Sequence, residues 1–401
     1  MTHALFSGLT VIDCGSYIAA PLATTILAEW GADVIKVEPP AGDPFRQLIH
    51  LPGMPLSDVD YASLMENRNK RGIALDLGTP AGRRVVHRLA AQADVFVTNL
   101  PLSARTKLGI DYDTLAALND RLVYGSFTGF GELGDESAKP GFDQTAYWAR
   151  SGLMNEVRAS GADEPVKSAV GQGDHPAAMT LFAALVSALY RRERTGRGAH
   201  VHTSLMANGF WANGFLATAA LCGAEFVPRA PRTRSHNALS TPYQAGDGRW
   251  LLLTILNEER YWPKLCQCLE RPDLARDPRF LTKPDRQANS PALFEELQAA
   301  FHLHDRDHWQ AVLHAGGIVF EVVATPADIA ADQQAAVNGV WSQLAESPEL
   351  RTVSTPFSID SVDKTPLRPA PSIGQHTDEV LAEAGFTPAE VRAMRDSGTV
   401  A

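Results

Sequence analysis

This 401-residue chain has no basic excess: 36 Lys+Arg stand against 46 Asp+Glu, a formal net charge of −10. Nucleic-acid binders concentrate positive charge to meet the phosphate backbone, so the balance argues against general DNA or RNA binding. Cysteine is scarce. Cys14, Cys222, Cys266 and Cys268 are too few for a disulfide framework and lack C-x-x-C spacing, so reduced thiols in the cytoplasm are expected. The opening MTHALFSGLTVIDCG has no basic segment and places Asp13 inside its first apolar stretch, unlike a signal peptide. The longest weakly polar run, 206–224, is interrupted by Asn208 and Asn213, so no membrane span is expected.

Several catalytic signatures are missing too. The segment 13–21, DCGSYIAAP, has one glycine where a G-x-G-x-x-G dinucleotide turn needs three, which disfavours nicotinamide and flavin chemistry. There is no G-x-x-x-x-G-K-[ST] to cradle a nucleotide phosphate, no G-x-S-x-G elbow, and no H-E-x-x-H. His50, His87 and His314 are scattered, and no metal site is expected.

What is present is a globular chain, 45% apolar and 20% charged, long enough for one large and one smaller domain. Apolar β-forming runs at 9–13, 32–37, 72–77, 94–100 and 122–126 alternate with helical stretches at 21–29, after Thr79 and Pro80, and at 112–118. Thr79 is placed as an N-cap with Pro80 at the first helical position. Such alternation predicts a parallel sheet covered on both faces. The stretch 177–194 reads as a buried helix ending in a basic turn and Gly196. Beyond residue 224 the texture changes to prolines, arginines and serines, then to a strand-like RWLLLTI at 249–255, helical stretches at 258–270 and 293–315, and an apolar strand at 317–323. This divides the chain into a large domain over 1–224, a small one over 225–330, and a return at 331–401 that rejoins the large domain and ends in two short helices.

Two segments carry the chemical interest. NRNKR at 67–71 puts three cations in five residues just before a strand, either a solvated charge cluster or a lure for a phosphorylated ligand. AVGQGDHP at 169–176 lies between an expected strand and the buried helix. Gly171 and Gly173 leave the backbone bare beside Asp174, which reads either as a helix cap or as a nucleophile with room for a bound group.

With those segments together, the chain resembles the family III CoA-transferases, the group of formyl-CoA transferase, carnitine CoA-transferase and the α-methylacyl-CoA racemases. The likeness runs over nearly the whole chain: SGLTVIDCGSYIAAPLATTILAEWGADVIKVEPPAGDPFR at 7–46, NRNKRGIALDL at 67–77, ADVFVTN at 93–99, PGFDQTAYWARSGLM at 140–154, GQGD at 171–174, RRERTGRG at 191–198 and IGQHTDEVLAEAGF at 373–386. The resemblance implies an α/β fold with a Rossmann-like parallel-sheet large domain, a smaller α+β domain, and an interlocked homodimer. It makes Asp174 the nucleophile, passing through an acyl–aspartyl anhydride and an aspartyl–CoA thioester, with acyl-CoA and a carboxylic acid as substrates and no permanently bound cofactor. Family contacts to CoA fall on Leu75, Asn99, Lys107 and Lys139, to which electrostatics adds Arg71 and Lys70. Phe142, Asp143, Gly171 and Gly173 would line the substrate pocket, with Asp143 either orienting its neighbours or serving as a plain structural acid.

Departures from the family narrow the reading. Racemases carry a histidine at Phe142, and a phenyl ring cannot move a proton, so the alternative of an acyl-CoA racemase or isomerase loses one of its acid–base groups. Formyl-CoA transferase has a glutamine at Ile18 and a tetraglycine loop where this chain has SHNALSTPY at 235–243, which speaks against formyl-CoA:oxalate exchange. Pro39 replaces a CoA-contacting arginine, and LPLS at 100–103 replaces FRPG. Phe142, Tyr147 and Trp148 suggest a medium-sized or aromatic acyl group.

Overall fold

The computed structural model describes residues 4–401 apart from Ala159, Gly161, Asp163 and Arg229. The described chain divides into two compact units, one of 4–157, 166–223 and 334–401, the other of 158–165 and 224–333.

The larger unit is built on a sheet of β1 (Thr10–Cys14), β2 (Asp33–Glu38), β3 (Arg71–Ala74), β4 (Val95–Thr98), β5 (Val123–Thr128) and β6 (Ala199–Ser204). Their order is β3-β2-β1-β4-β5-β6 and every pairing is parallel. That is the doubly wound Rossmann-like order, whose direction reverses between β1 and β4 and opens a crevice at their carboxyl ends. β-Branched residues suit strands covered on both faces, and all four residues of β4 are buried. β6 escapes a reading of periodicity because its sequence, AHVHTS, has no apolar run.

The helices of this unit that precede the smaller one's main segment include α1 (Ala19–Glu29), α2 (Tyr61–Glu66), α3 (Pro80–Ala90), α4 (Leu102–Leu108), α5 (Tyr112–Ala116), α6 (Leu153–Glu156) and α7 (Asp174–Thr195). Thr79 caps α3 by accepting from the Gly82 amide at 2.9 Å, with Pro80 first in the helix. α1 is buried along its whole length, and α7 lies against it through Ala177, Ala178, Leu181, Leu185 and Ala188, at helical spacing. α7 closes on Gly196, whose φ of 72° lets its amide return to the Arg192 carbonyl at 2.8 Å. It opens at Asp174, earlier than the sequence suggested, and the expected strand before residue 169 is replaced by irregular chain and turns. The C-terminal helix Thr377–Glu383 covers the β3 edge, where the Gly72 amide donates to His376 Nδ1 at 3.1 Å, and Pro388–Asp396 packs on that helix.

The smaller unit holds an antiparallel sheet of Pro242–Gln244, Trp250–Leu253 and Phe320–Val322 around a core including Leu251, Trp262, Phe301 and Trp309. The helical stretch expected over 293–315 is two helices, Ser290–Phe301 and Arg306–Ala315, because Asp305 starts the second by accepting from the His308 amide at 2.9 Å. Among the described residues, no helix is long and apolar enough to cross a membrane.

Candidate active site

Asp174 stands at the amino end of α7, where the unpaired amides of the first turn carry partial positive charge. The helix-cap role is not the one it plays: Gly173 is the capping position, and no side-chain cap bond forms. Among the described residues no hydrogen bond or ion pair holds the Asp174 carboxylate. Burial, then the negative charges of Asp143 and Glu66, push it up to about 7, against a smaller opposing pull from His175.

Local chain geometry puts it there. Gly171 has a φ of +78°, in the left-handed region that favours glycine, and its amide donates to Asp143 Oδ2 at 3.1 Å. Asp143 also accepts from the Gln144 amide at 2.7 Å, so this buried acid orients the turn that delivers Asp174. At Gly173 a Cβ would come within 2.7 Å of Tyr147 Cγ, so the bare backbone is what lets the turn press against that ring. Asp143 and Tyr147 belong to a π-helical segment, Asp143–Ala149, a widened turn often found at functional sites. Phe142 just before it is exposed and meets the ring of Tyr17 edge-on at 5.4 Å between centroids. Tyr17 sits in the β1–α1 turn with a φ of +62°. Tyr147 and Trp148 belong to the apolar core, and the Trp148 ring donates to the Val166 carbonyl at 2.7 Å, so only Phe142 of the three aromatics flagged from sequence is free to meet a substrate.

Two residues here escaped the sequence reading. Glu66, the last residue of α2 and only 3% exposed, accepts at Oε1 from His175 Nε2 at 2.9 Å. Burial works against a charged His175 ring, but Glu66, Asp174 and Asp143 outweigh it and hold the imidazole above its ordinary value. Each adjoins a flagged motif, Glu66 before NRNKR and His175 after GQGD, and that adjacency was the one available signal.

A second feature opens at the carboxyl ends of the strands. Cys14, Ser16, Pro39, Leu75 and Leu100 help to line a cavity of about 370 Å³. It lies at the switch between β1 and β4, which Asn99 spans by donating to the Ser16 carbonyl at 2.7 Å and accepting from the Ser16 amide at 2.8 Å. The lining carries Glu38, Asp43 and Asp76 and, among the described residues, no lysine or arginine. Leu75 thus lines the cavity directly, Asn99 shapes its wall, and Lys107 is exposed one position before Leu108 of the lining. Lys139 is drawn to Glu136 at 2.8 Å and lies over the Phe130 ring.

The basic segment 67–71 needs correcting. Arg68 pairs with Glu29 at 2.5 Å, and Lys70 with Asp13 at 2.7 Å, its side chain fully enclosed. Arg71 is shared among Asp33, Glu379 and Glu383 at 2.5 to 2.8 Å. These cations neutralise acids of the fold, so neither Lys70 nor Arg71 stands as the free charge that electrostatics alone assigned to a ribose phosphate.

Comparison with known proteins agrees with this architecture. The model for CoA-transferase family III matches residues 6–377. Among curated relatives, the (R)-2-hydroxy-4-methylpentanoate CoA-transferase of Clostridioides difficile is 32% identical, covering 99% of both chains. The cinnamoyl-CoA:phenyllactate CoA-transferase of Clostridium sporogenes is 31% identical over 97% of this chain and 96% of that one. A solved CAIB/BAIF family protein from Brucella suis superposes with a TM-score of 0.85 at 30% identity, covering 95% of this chain and all of that one. The chain therefore belongs to CoA-transferase family III and is an enzyme of that class, whose members use CoA thioesters and carboxylic acids as substrates.

Proposed function

We propose that the protein moves CoA from an acyl-CoA donor to a carboxylic acid acceptor with Asp174 as the covalent nucleophile. The observation that carries this reading is a carboxylate without a hydrogen-bond or ion-pair partner among the described residues, in a half-buried position beside bare glycines, at a helix amino end.

An Asp174 oxygen attacks the thioester carbonyl carbon, the C–S bond breaks, and CoA leaves as its thiolate, giving an acyl–aspartyl anhydride. The thiolate then attacks the aspartyl carbonyl carbon, the C–O bond breaks, and the donor acid departs from an aspartyl–CoA thioester. An acceptor carboxylate repeats the two steps in reverse and regenerates Asp174. One thioester is consumed and one formed, so the cycle closes without an external energy source. A carboxylate raised to about 7 is a stronger base, and so a better nucleophile, than an ordinary aspartate. The anhydride must be kept from water, which assigns to remote contacts with CoA the task of closing the site.

For CoA, the cavity lined by Leu75 and Leu100 suits an apolar part of the nucleotide, with Asn99 shaping its wall and Lys107, next to Leu108 of the lining, the cation of the predicted set without an ion-pair partner among the described residues. Lys139 belongs to this reading through the family resemblance, held close by Glu136 and Phe130. Exposed Phe142 beside Tyr17 supports an apolar acyl group. The family's paired subunits find support in Trp211 and Phe215, 87% and 96% exposed, a bare apolar surface that a second copy would cover.

The test is trapping. Cinnamoyl-CoA, acetyl-CoA and succinyl-CoA, each with phenyllactate, oxalate or glutarate, are screened for exchange. The active donor plus hydroxylamine converts Asp174 to a hydroxamate, seen by mass spectrometry. Asp174→Ala lowers exchange by at least about a thousandfold. Full activity in that variant, or deuterium wash-in at the acyl α-carbon without exchange, overturns the assignment, the latter in favour of a racemase.

A further inference from the structure

Glu66 is anchored through its backbone. Its backbone carbonyl accepts from Lys70 Nζ at 3.1 Å and from the Thr25 hydroxyl, and its side chain is 4% exposed. Oε1 accepts from His175 Nε2 at 2.9 Å, while Oε2 is buried without a partner among the described residues. The imidazole is packed against the turn that leads into Asp174: the His175 amide donates to the Gly171 carbonyl at 2.9 Å, and a Cβ on Gly171 would lie 3.1 Å from Nε2. Three elements thus bring their ionisable groups to one place, Glu66 from α2, Asp143 from the π-helical segment, and Asp174 with His175 from α7.

We propose that Glu66 and His175 form a positioning pair for the nucleophile, in which Glu66 holds the ring as an imidazolium beside Asp174 and that cation offsets part of the repulsion from the neighbouring acids, enlarging the ionised fraction of Asp174 available for attack. The inference rests on Asp174 as the nucleophile and adds a device that sets its charge.

Glu66 acts on Asp174 twice, with opposite signs. Directly, its charge repels a second carboxylate and favours the protonated acid; through His175, it maintains a cation that favours the anion. Among the described residues, the charged groups acting on Asp174 are Asp143, Glu66 and His175, and those acting most strongly on His175 are Glu66, Asp174 and Asp143, so removing the ring takes away the cation that opposes the acids at Asp174.

The experiment follows kcat/KM for the acyl-CoA donor against pH, from about 5 to about 9, with the fastest donor–acceptor pair of the screen above. His175→Gln moves the acid limb upward by about one pH unit, a loss of up to about tenfold below the limb, with rates converging on wild type above it. Adding Glu66→Gln to His175→Gln moves the limb back down, because repulsion is all that Glu66 has left to exert. A merely structural pair would lower the rate alike at every pH. That parallel loss, an unmoved limb in His175→Gln, or a limb driven further up by the added Glu66→Gln, overturns the proposal. Hydroxylamine trapping in wild type separates the two layers: no adduct at Asp174 removes the nucleophile itself, whereas an adduct with an unmoved limb removes the pair alone.

Discussion

The cations of 68–71 and the acids around Asp174 begin two positions apart in the chain, at Arg68 and Glu66, and the fold treats them in opposite ways. Each cation ends on carboxylates: Arg68 on Glu29, Lys70 on Asp13, and Arg71 on three acids at once. Asp174, Asp143 and Glu66 are gathered instead with His175 as the cation that opposes the two other acids at Asp174. Among the matched charges, burial disfavours ionised Asp13, yet Lys70 and Lys36 outweigh it and hold the carboxyl below the usual range. For Lys70, burial outweighs the attraction of Asp13 and pushes the ammonium down to about 8, still charged at neutral pH. In the unmatched set, burial and like charge act in the same direction, and Asp174 rises to about 7. Matched charge is used for holding the sheet and its helices together; unmatched charge raises the energy of one carboxylate, the one proposed to react.

Breaking the matched set should cost the most stability. Lys70→Met removes the ion-pair partner of the buried Asp13, leaving it the Thr24 hydroxyl, the Gly15 amide and the more distant charge of Lys36, and is expected to remove about 3 kcal/mol from the unfolding free energy, read from denaturant curves at neutral pH. Relieving the unmatched set should do the reverse. Asp174 is protonated up to about pH 7 in the folded protein and only to about pH 4 when unfolded, so the folded state binds the extra proton between those values. Stability from this group is therefore lost as pH rises through that window. Asp174→Asn should match wild type near pH 4 and be more stable by about 1–3 kcal/mol at pH 8, measured as the difference between the two proteins' curves. Equal gains at both pH values would mean that the carboxylate is not strained by its neighbours.

The smallest effect is expected at Arg71, whose carboxylate partners are about half exposed, 45% to 55%. Arg71→Ala should cost about 1 kcal/mol or less and leave the KM for acyl-CoA within about twofold. A large rise in that KM would restore the role in CoA binding that the sequence suggested.

Much of the sheet is legible in the order of residues because burial on both faces demands apolar β-formers, and β1, β2, β4 and β5 announce themselves that way. β6 does not, since its half-buried AHVHTS carries histidines where an apolar run would be sought. The site divides similarly. Asp174 was visible through the glycines around it and the family likeness of GQGD, and Asp143 through PGFD. Glu66 was not, because its bond to His175 joins residues 109 positions apart, and local spacing carries no trace of such a contact. The basic run misled for the same reason: the partners of Arg71 lie as far away as Glu383.

The residues by themselves determined the alternation of strands and helices, the glycine-flanked aspartate and the family, all properties of neighbouring positions and their ordered motifs. Only the folded chain decided which charges are neutralised and which are left to raise Asp174. An ionisable group's behaviour depends on the water it loses and the charges it meets across space, and neither is written in the spacing of the sequence.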